Sequence, residues 1–244
     1  MNSITFAFII TMIAGLSTLL GLIPIYIKFK NINKIICISL AFAAGVMLSV
    51  SINSLLEESI SLLNKNLNIV KTIILVILFI LIGILVSKLL DILFKKIDNK
   101  LYKLGITNAI ALMIHNIPEG ILTFSTTSIN ISLGLTLALS IMCHNIPEGI
   151  SISVPIYYST KSRKKAWIYV LISGFSESLG GIFSYLFLYR FINNSFIGIT
   201  LAFTIGIMSY ISLVELLPNS IKYNYKKTSS ISFIIGYIFM MFFK

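Results

Sequence analysis

His115-Asn116-Ile117-Pro118-Glu119-Gly120 returns letter for letter as His144-Asn145-Ile146-Pro147-Glu148-Gly149. The two copies hold both histidines of the chain and two of its eight acidic residues, and each lies inside a long apolar run. In a helix, positions i and i+4 share a face, so His115 stands over Glu119 and His144 over Glu148. An imidazole and a carboxylate on one face make half of a first-row metal site. Two such helices facing each other supply two imidazoles and two carboxylates. Pro118 cannot bond to the carbonyl of Ile114, nor Pro147 to that of Cys143, so each helix is expected to kink and bare an oxygen. Inside a membrane such an oxygen is tolerated only where protein or a water-filled cavity satisfies it. The bland reading is a pair of kinked helices whose polar groups bind one another, but structural pairing does not require the same six letters twice.

Outward from the motif, the composition identifies the solvent. The chain is 57% hydrophobic and 11% charged, with a mean hydropathy of +0.98. Globular domains carry roughly a quarter charged residues. Apolar stretches of about 20 residues recur along the whole length, as transmembrane helices require. One membrane domain, 1–244, accounts for the chain, with no soluble domain between the spans. A net charge of +11 suggests nucleic acid, but its placement in short loops excludes that partner and points to the lipid bilayer. Cys37 and Cys143 fall in apolar segments and read as small core residues; Cys143, beside His144, is a lesser ligand candidate. The abundance of Ile, Asn and Lys reads as a trace of genome composition.

Eight spans are expected, at about 4–27, 34–56, 70–92, 105–127, 131–157, 165–189, 196–217 and 229–243, the last short for a crossing. The first has no basic residue before it and three soon after, the wrong polarity for a cleaved signal peptide. Fifteen of the nineteen Lys and Arg residues fall in the connections 1–2, 3–4, 5–6 and 7–8 or their flanks; Lys65, Lys71, Arg190 and Lys244 fall on the other side. The positive-inside rule makes the richer side cytoplasmic and puts both termini outside. Trp167, Tyr185 and Tyr189 suit the interfacial aromatic belts.

A second repeat lies outside the first. Ala41-Phe42-Ala43-Ala44-Gly45-Val46-Met47 resembles Ala202-Phe203-Thr204-Ile205-Gly206-Ile207-Met208, and the match continues through Ser51 with Ser212 and Leu55 with Leu216. Helix 2 therefore resembles helix 7, and helix 4 resembles helix 5, each pair running in opposite directions. That is the pattern of an inverted-repeat transporter, whose site lies near the midplane.

Four of the eight acids, Glu119, Glu148, Glu177 and Glu215, fall inside expected spans. Each ionised carboxylate there costs roughly 2.5–3.5 kcal/mol even on the lenient insertion scale, and no Lys or Arg of the expected spans lies deep enough to pair with them. A bound divalent cation would compensate several at once. Glu177 lies in Ser173-Gly174-Phe175-Ser176-Glu177-Ser178-Leu179-Gly180-Gly181, whose small residues permit close helix approach. That packing should bring Glu177 against helices 4 and 5. Polar stripes in line with the site mark a candidate route: Met47, Ser51, Ser54 and Glu58 on helix 2, Asn108 on helix 4, Ser140 on helix 5, Ser173 on helix 6 and Glu215 on helix 7. The plainer role for such serines is interhelical hydrogen bonding.

The tandem hexapeptide, Glu177 in its Ser-Gly-x-x-Glu-x-x-Gly setting, and the eight spans resemble the ZIP (Zrt-/Irt-like protein) metal transporters, in particular the bacterial ZupT-like or GufA-like branch. The resemblance implies an all-α integral membrane protein of eight transmembrane helices in a 3+2+3 arrangement, helices 1–3 being related to 6–8. It implies import of zinc and related divalent cations across the cytoplasmic membrane into the cytoplasm, and a homodimer. It further implies a binuclear centre. His115, Glu119, His144 and Glu148 would form one metal site. Asn116, Glu119, Asn145, Glu148 and Glu177 would form the second. Some family members carry an acid at the Asn145 position; the amide here makes the second site less negative. The loop between helices 3 and 4, often histidine-rich in the family, has no histidine here. The mixed donor set admits Zn²⁺, Fe²⁺, Mn²⁺, Co²⁺ and Cd²⁺.

The rival readings are an intramembrane metal-dependent hydrolase and a metal-sensing membrane protein. The hydrolase lacks the His-Glu-x-x-His helix motif, and an ATP-driven pump would need a Gly-x-x-x-x-Gly-Lys-Ser/Thr loop that the chain does not contain. A sensor would hold metal tightly and show no flux.

Overall fold

Asparagine side chains start most of the helices. In the computed structural model, which describes residues 3–188 and 193–243, Asn31, Asn68, Asn99, Asn130 and Asn193 each accept a hydrogen bond from a backbone N–H two or three residues on, as does Ser162. Each such cap is worth about 1 kcal/mol. The asparagine content thus has a structural use that its reading as a trace of genome composition overlooks.

Among the described residues the chain forms eight helices and no strand. They are α1 (Ser3–Tyr26), α2 (Ile32–Asn64), α3 (Ile69–Leu93), α4 (Lys100–Ile129), α5 (Ile131–Thr160), α6 (Arg163–Phe187), α7 (Asn194–Ile221) and α8 (Lys226–Met241). The last part of α1, Ser17–Tyr26, winds more tightly as 3-10 helix around Pro24. Wider π turns interrupt α2 at Ser51–Leu55 and α7 at Ile211–Leu216, and a third, Ser184–Leu188, lies at the end of α6. α5 ends where Lys161 adopts a left-handed conformation, φ 56°.

Five helices, α1, α2, α3, α6 and α7, are long and apolar enough to cross a membrane. α4 and α5 have 30 residues each, about 45 Å of helix against a hydrocarbon core of about 30 Å. Their lower hydropathy comes from the polar residues of the two hexapeptides. α8, with 16 residues, is shorter than the ~20 that a full crossing takes. α3 carries its Ile and Leu side chains outward, from Ile69 and Ile73 to Leu89 and Ile92, as a lipid-facing helix does. The chain is an all-α integral membrane protein. α2 runs on to Asn64, several residues beyond the expected end near 56, because Glu57 and Glu58 continue the helix after its π turn. Tyr189, Arg190 and Lys244, assigned by sequence to the outer boundary, lie outside the described residues.

Packing divides the helices into two sets of four. α1, α4, α5 and α6 lie against one another, and α2 and α7 pair with α8 and α3 and with each other. Between the sets, α2 runs along α5 and α7 along α4. Glycine makes the closest crossings. A methyl added to Gly45 of α2 would strike the carbonyl of Phe233 in α8, and one on Gly206 of α7 would strike that of Ile80 in α3. In the other set, Gly15 of α1 and Gly174 of α6 press against each other's carbonyl oxygens. All fourteen glycines find their nearest neighbours inside their own set of four. The aliphatic core that joins the sets runs from alanines such as Ala44 and Ala109 to larger side chains, with Leu40, Met47 and Met208 from one set and Leu112 and Ile152 from the other.

Candidate metal centre

The last letter of each hexapeptide explains how the site closes. Gly120 of α4 meets the carbonyl of Glu177 in α6, and Gly180 of α6 meets that of Ile117 in α4. Any side chain at either position would push α6 away and withdraw the Glu177 carboxylate. In the second copy, Gly149 of α5 meets the carbonyl of Thr18 in α1, and Gly21 of α1 meets the backbone of Gly149. Glycine therefore draws α6 onto α4 and α1 onto α5, which places all seven predicted ligand positions on three helices at one depth.

His115, Asn116, Glu119, His144, Asn145, Glu148 and Glu177 are all buried, none more than 2% exposed. The two motifs contact each other across the α4–α5 interface. His115 Nε2 lies 3.2 Å from Glu148 Oε1 and 3.5 Å from Glu119 Oε2. His144 Nε2 lies 3.3 Å from both oxygens of Glu119. Zinc bonds of 2.0–2.2 Å in tetrahedral geometry imply ligand–ligand edges of roughly 3.3–3.6 Å, so these separations are those of donors able to share one ion. Among the described residues no three of these side chains already surround an ion-sized point; the donors touch one another instead.

Asparagines brace the cluster. Asn116 Nδ2 donates to the carbonyl of Ser173, 3.0 Å away, and Asn145 Nδ2 to that of Ala14, 2.9 Å, and to Glu177 Oε2, 2.8 Å. Buried polar atoms are normally hydrogen-bonded. Here His115 Nδ1 and Nε2, Asn116 Oδ1, Glu119 Oε1, His144 Nδ1, Asn145 Oδ1, both oxygens of Glu148 and Glu177 Oε1 lack a well-formed hydrogen bond. Three carboxylates and two imidazoles with this much spare donor capacity, sealed from water, suit a divalent cation.

The route residues fall into three places. Ser54, Glu58 and Ser140 line a cavity of about 540 Å³ together with Glu57, Ser61, Thr126 and Thr136. Its floor at Ser140 is one helical turn from His144. Asn108 donates to the carbonyl of Ser151, 3.4 Å away, on the opposite side of the cluster, and lines a gap of about 10 Å³ shared with Glu215. Glu215 also faces a second cavity, of about 500 Å³, with Asp91, Lys103 and Lys222. It sits at a mouth in lysine company, unlike the other three intramembrane acids. Met47 is packed in the core, and the Ser51 hydroxyl donates to the Met47 carbonyl at 2.9 Å. Ser173 contributes its carbonyl to Asn116, while its own hydroxyl is buried without a partner.

Sequence reading missed α1. Gly15-Leu16-Ser17-Thr18-Leu19-Leu20-Gly21 matches Gly174-Phe175-Ser176-Glu177-Ser178-Leu179-Gly180 at Gly, Ser, Leu and Gly. The contacts match as well: Ser17 donates to Ala14 as Ser176 does to Ser173, and those two carbonyls receive Asn145 and Asn116. Thr18 thus occupies in α1 the place that Glu177 occupies in α6.

Residues 99–244 match the family model described as ZIP Zinc transporter. The chain is 34% identical to the zinc transporter ZupT of Clostridium perfringens over 98% of its own length and 95% of the relative's. It is 38% identical to that of Chlorobaculum parvum, over 91% and 90%, and 38% identical to that of Oceanobacillus iheyensis, over 98% and 97%.

Proposed function

The chain belongs to the ZIP family of zinc transporters, and we propose that it imports zinc across the cytoplasmic membrane through the cluster between α4 and α5. As a member of that family it is a transporter and not an enzyme. The observation that carries the site is the crossed pairing of the two hexapeptides, His115 with Glu148 and His144 with Glu119. The mixed nitrogen and oxygen donors also suit Fe²⁺, Mn²⁺, Co²⁺ and Cd²⁺. Glu119 and Glu148 are the bridging ligands of a binuclear centre whose second ion adds Asn116, Asn145 and Glu177. The lysine-rich loops face the cytoplasm, both termini face outward, and the 244 residues act as one transport domain, paired as a homodimer.

The mechanism is alternating access. Metal arrives through the cavity at Ser54, Glu58 and Ser140, exchanges water for imidazole and carboxylate, and leaves past Asn108 and Glu215. The distribution of glycine supports the moving parts. Glycine contacts bind helices firmly within each set of four, whereas no glycine makes its closest contact across the sets, where aliphatic side chains meet. The set α1, α4, α5 and α6 therefore shifts as a body against α2, α3, α7 and α8. The matching Gly-x-Ser segments of α1 and α6, and the matching π turns of α2 and α7, support an inverted repeat that includes helices 1–3 and 6–8.

Uptake of radioactive zinc into proteoliposomes tests the reading. Saturable uptake supports it; stoichiometric zinc binding by folded protein without uptake would transfer support to a sensor. Two further results are expected. Ser140→Trp fills the outer cavity one turn above His144 and should reduce uptake at least about tenfold while zinc binding in detergent persists. Asn145→Asp removes the donors to Ala14 and Glu177 and sets two carboxylates face to face. Isothermal titration should then show a second zinc equivalent bound at least about tenfold more tightly, and the metal-free protein should melt lower than wild type.

A further inference from the structure

The inner cavity is walled by both helix sets. Asp91 of α3 and Glu215 of α7 belong to one set and line the cavity together. Lys103 of α4 belongs to the other. Its ammonium forms an ion pair with Asp91 and acts electrostatically on Glu215. Lys222, also nearby, is engaged with Asn219 Oδ1 at 2.9 Å. Directly behind this group the polar route narrows to the gap of about 10 Å³ between Ser87, Thr107, Asn108, Tyr210 and Glu215, room for about one water. The route thus narrows just behind the cavity in which the ion pair joins the two sets, while the cavity on the far side of the metal cluster is wide.

We propose that Lys103 is a latch: its ammonium, paired with Asp91 at the cavity that Glu215 also lines, keeps the inner route closed by tying α4 to α3. This rests on the reading that the two sets of helices shift against each other. In that shift α4 moves relative to α3 and α7, so Lys103 must leave Asp91 before the gap at Asn108 opens. The pair is suited to repeated release. Lys103 is 20% and Asp91 36% exposed, so water reaches both partners and replaces the contact when it breaks. A lysine does this where a bound metal would not, because it neutralises the carboxylates without leaving the protein.

The test reads access to the gap, not transport. Ala111, which lines the gap and is buried, is replaced by cysteine in a background carrying Cys37→Ser and Cys143→Ser. Inside-out vesicles are then treated with a membrane-impermeant methanethiosulfonate. Lys103→Gln and Asp91→Asn should each speed labelling about threefold to fivefold, the change an ion pair of this exposure supports. The double variant should be no faster than either single, as expected for partners in one contact, and Lys103→Arg should label as slowly as the parent. Unchanged rates in both single variants, or additive effects in the double, would overturn the latch. Zinc uptake measured on the same preparations separates the two ideas. Normal uptake with latch-independent labelling removes the latch alone; absent uptake with latch-dependent labelling removes the transport reading alone.

Discussion

Glu119→Ala and Glu148→Ala are expected to abolish saturable zinc uptake, with metal affinity falling at least about 100-fold, beyond the 10–100-fold typical of losing a group that only supports a ligand. Glu119 is the more exposed to this argument, because it contacts both histidines: His115 at 3.5 Å and His144 at 3.3 Å. Loss of function should not come from loss of fold. Neither oxygen of the buried Glu148 has a well-formed hydrogen bond, so removing this side chain relieves a desolvation penalty and metal-free Glu148→Ala should melt no lower than wild type. Glu58→Ala, at the wide outer cavity, should retain most uptake. Uptake by Glu119→Ala within about twofold of wild type would contradict the central place given to the α4–α5 cluster.

Gly120→Ala should be the most damaging one-methyl change in the site. The new Cβ would land on the Glu177 carbonyl oxygen and on the Glu177 Cα, and backbone has little room to yield. Overpacking of this kind costs about 1–3 kcal/mol and occasionally more. Because the displaced residue is Glu177 itself, thermal stability and zinc uptake should fall together. Gly181→Ala, about one turn beyond Glu177 on α6, is the control. Its methyl would meet the Thr11 Cγ2 atom at 3.2 Å and Phe124 Cβ at 3.5 Å, side-chain atoms that can shift by a few tenths of an ångström. A Gly120→Ala protein that melts and transports like wild type would mean that α4 and α6 separate freely, and that Glu177 is not held in place by that crossing.

The parts of this architecture that were legible in the sequence are those written in polar letters. The duplicated hexapeptide announces itself because histidine, proline and glutamate are rare in apolar runs, and i, i+4 spacing sets each histidine over its glutamate. Glu177 could be found because a lone acid among small residues is conspicuous. The relation of α1 to α6 entered only through the family resemblance and was not read from the residues, because Thr18 replaces the acid and the shared letters are Gly, Ser and Leu, which any membrane helix contains. Aligning the two segments on Gly15 and Gly174 would have shown it. The surroundings of Glu215 were missed for a different reason: hydropathy places it well within a span, but it shares its cavity with Lys222, just past the end of its own helix, and with Lys103 from far along the chain. The asparagine caps were overlooked because composition alone does not separate a cap from a background preference.

The π turns of α2 and α7 have a consequence for how the gene can change length. Each holds one residue more than an α-helical turn would need, at Ser51–Leu55 and at Ile211–Leu216. Deleting a residue elsewhere in either helix rotates everything beyond it by about 100°. That would turn Glu58 away from its cavity, or Glu215 away from Asp91. Deleting one within the π turn lets the helix reclose as regular α-helix with both flanks still on their original faces. Within α2 and α7, these short segments are therefore where the chain can lose a codon and keep its register.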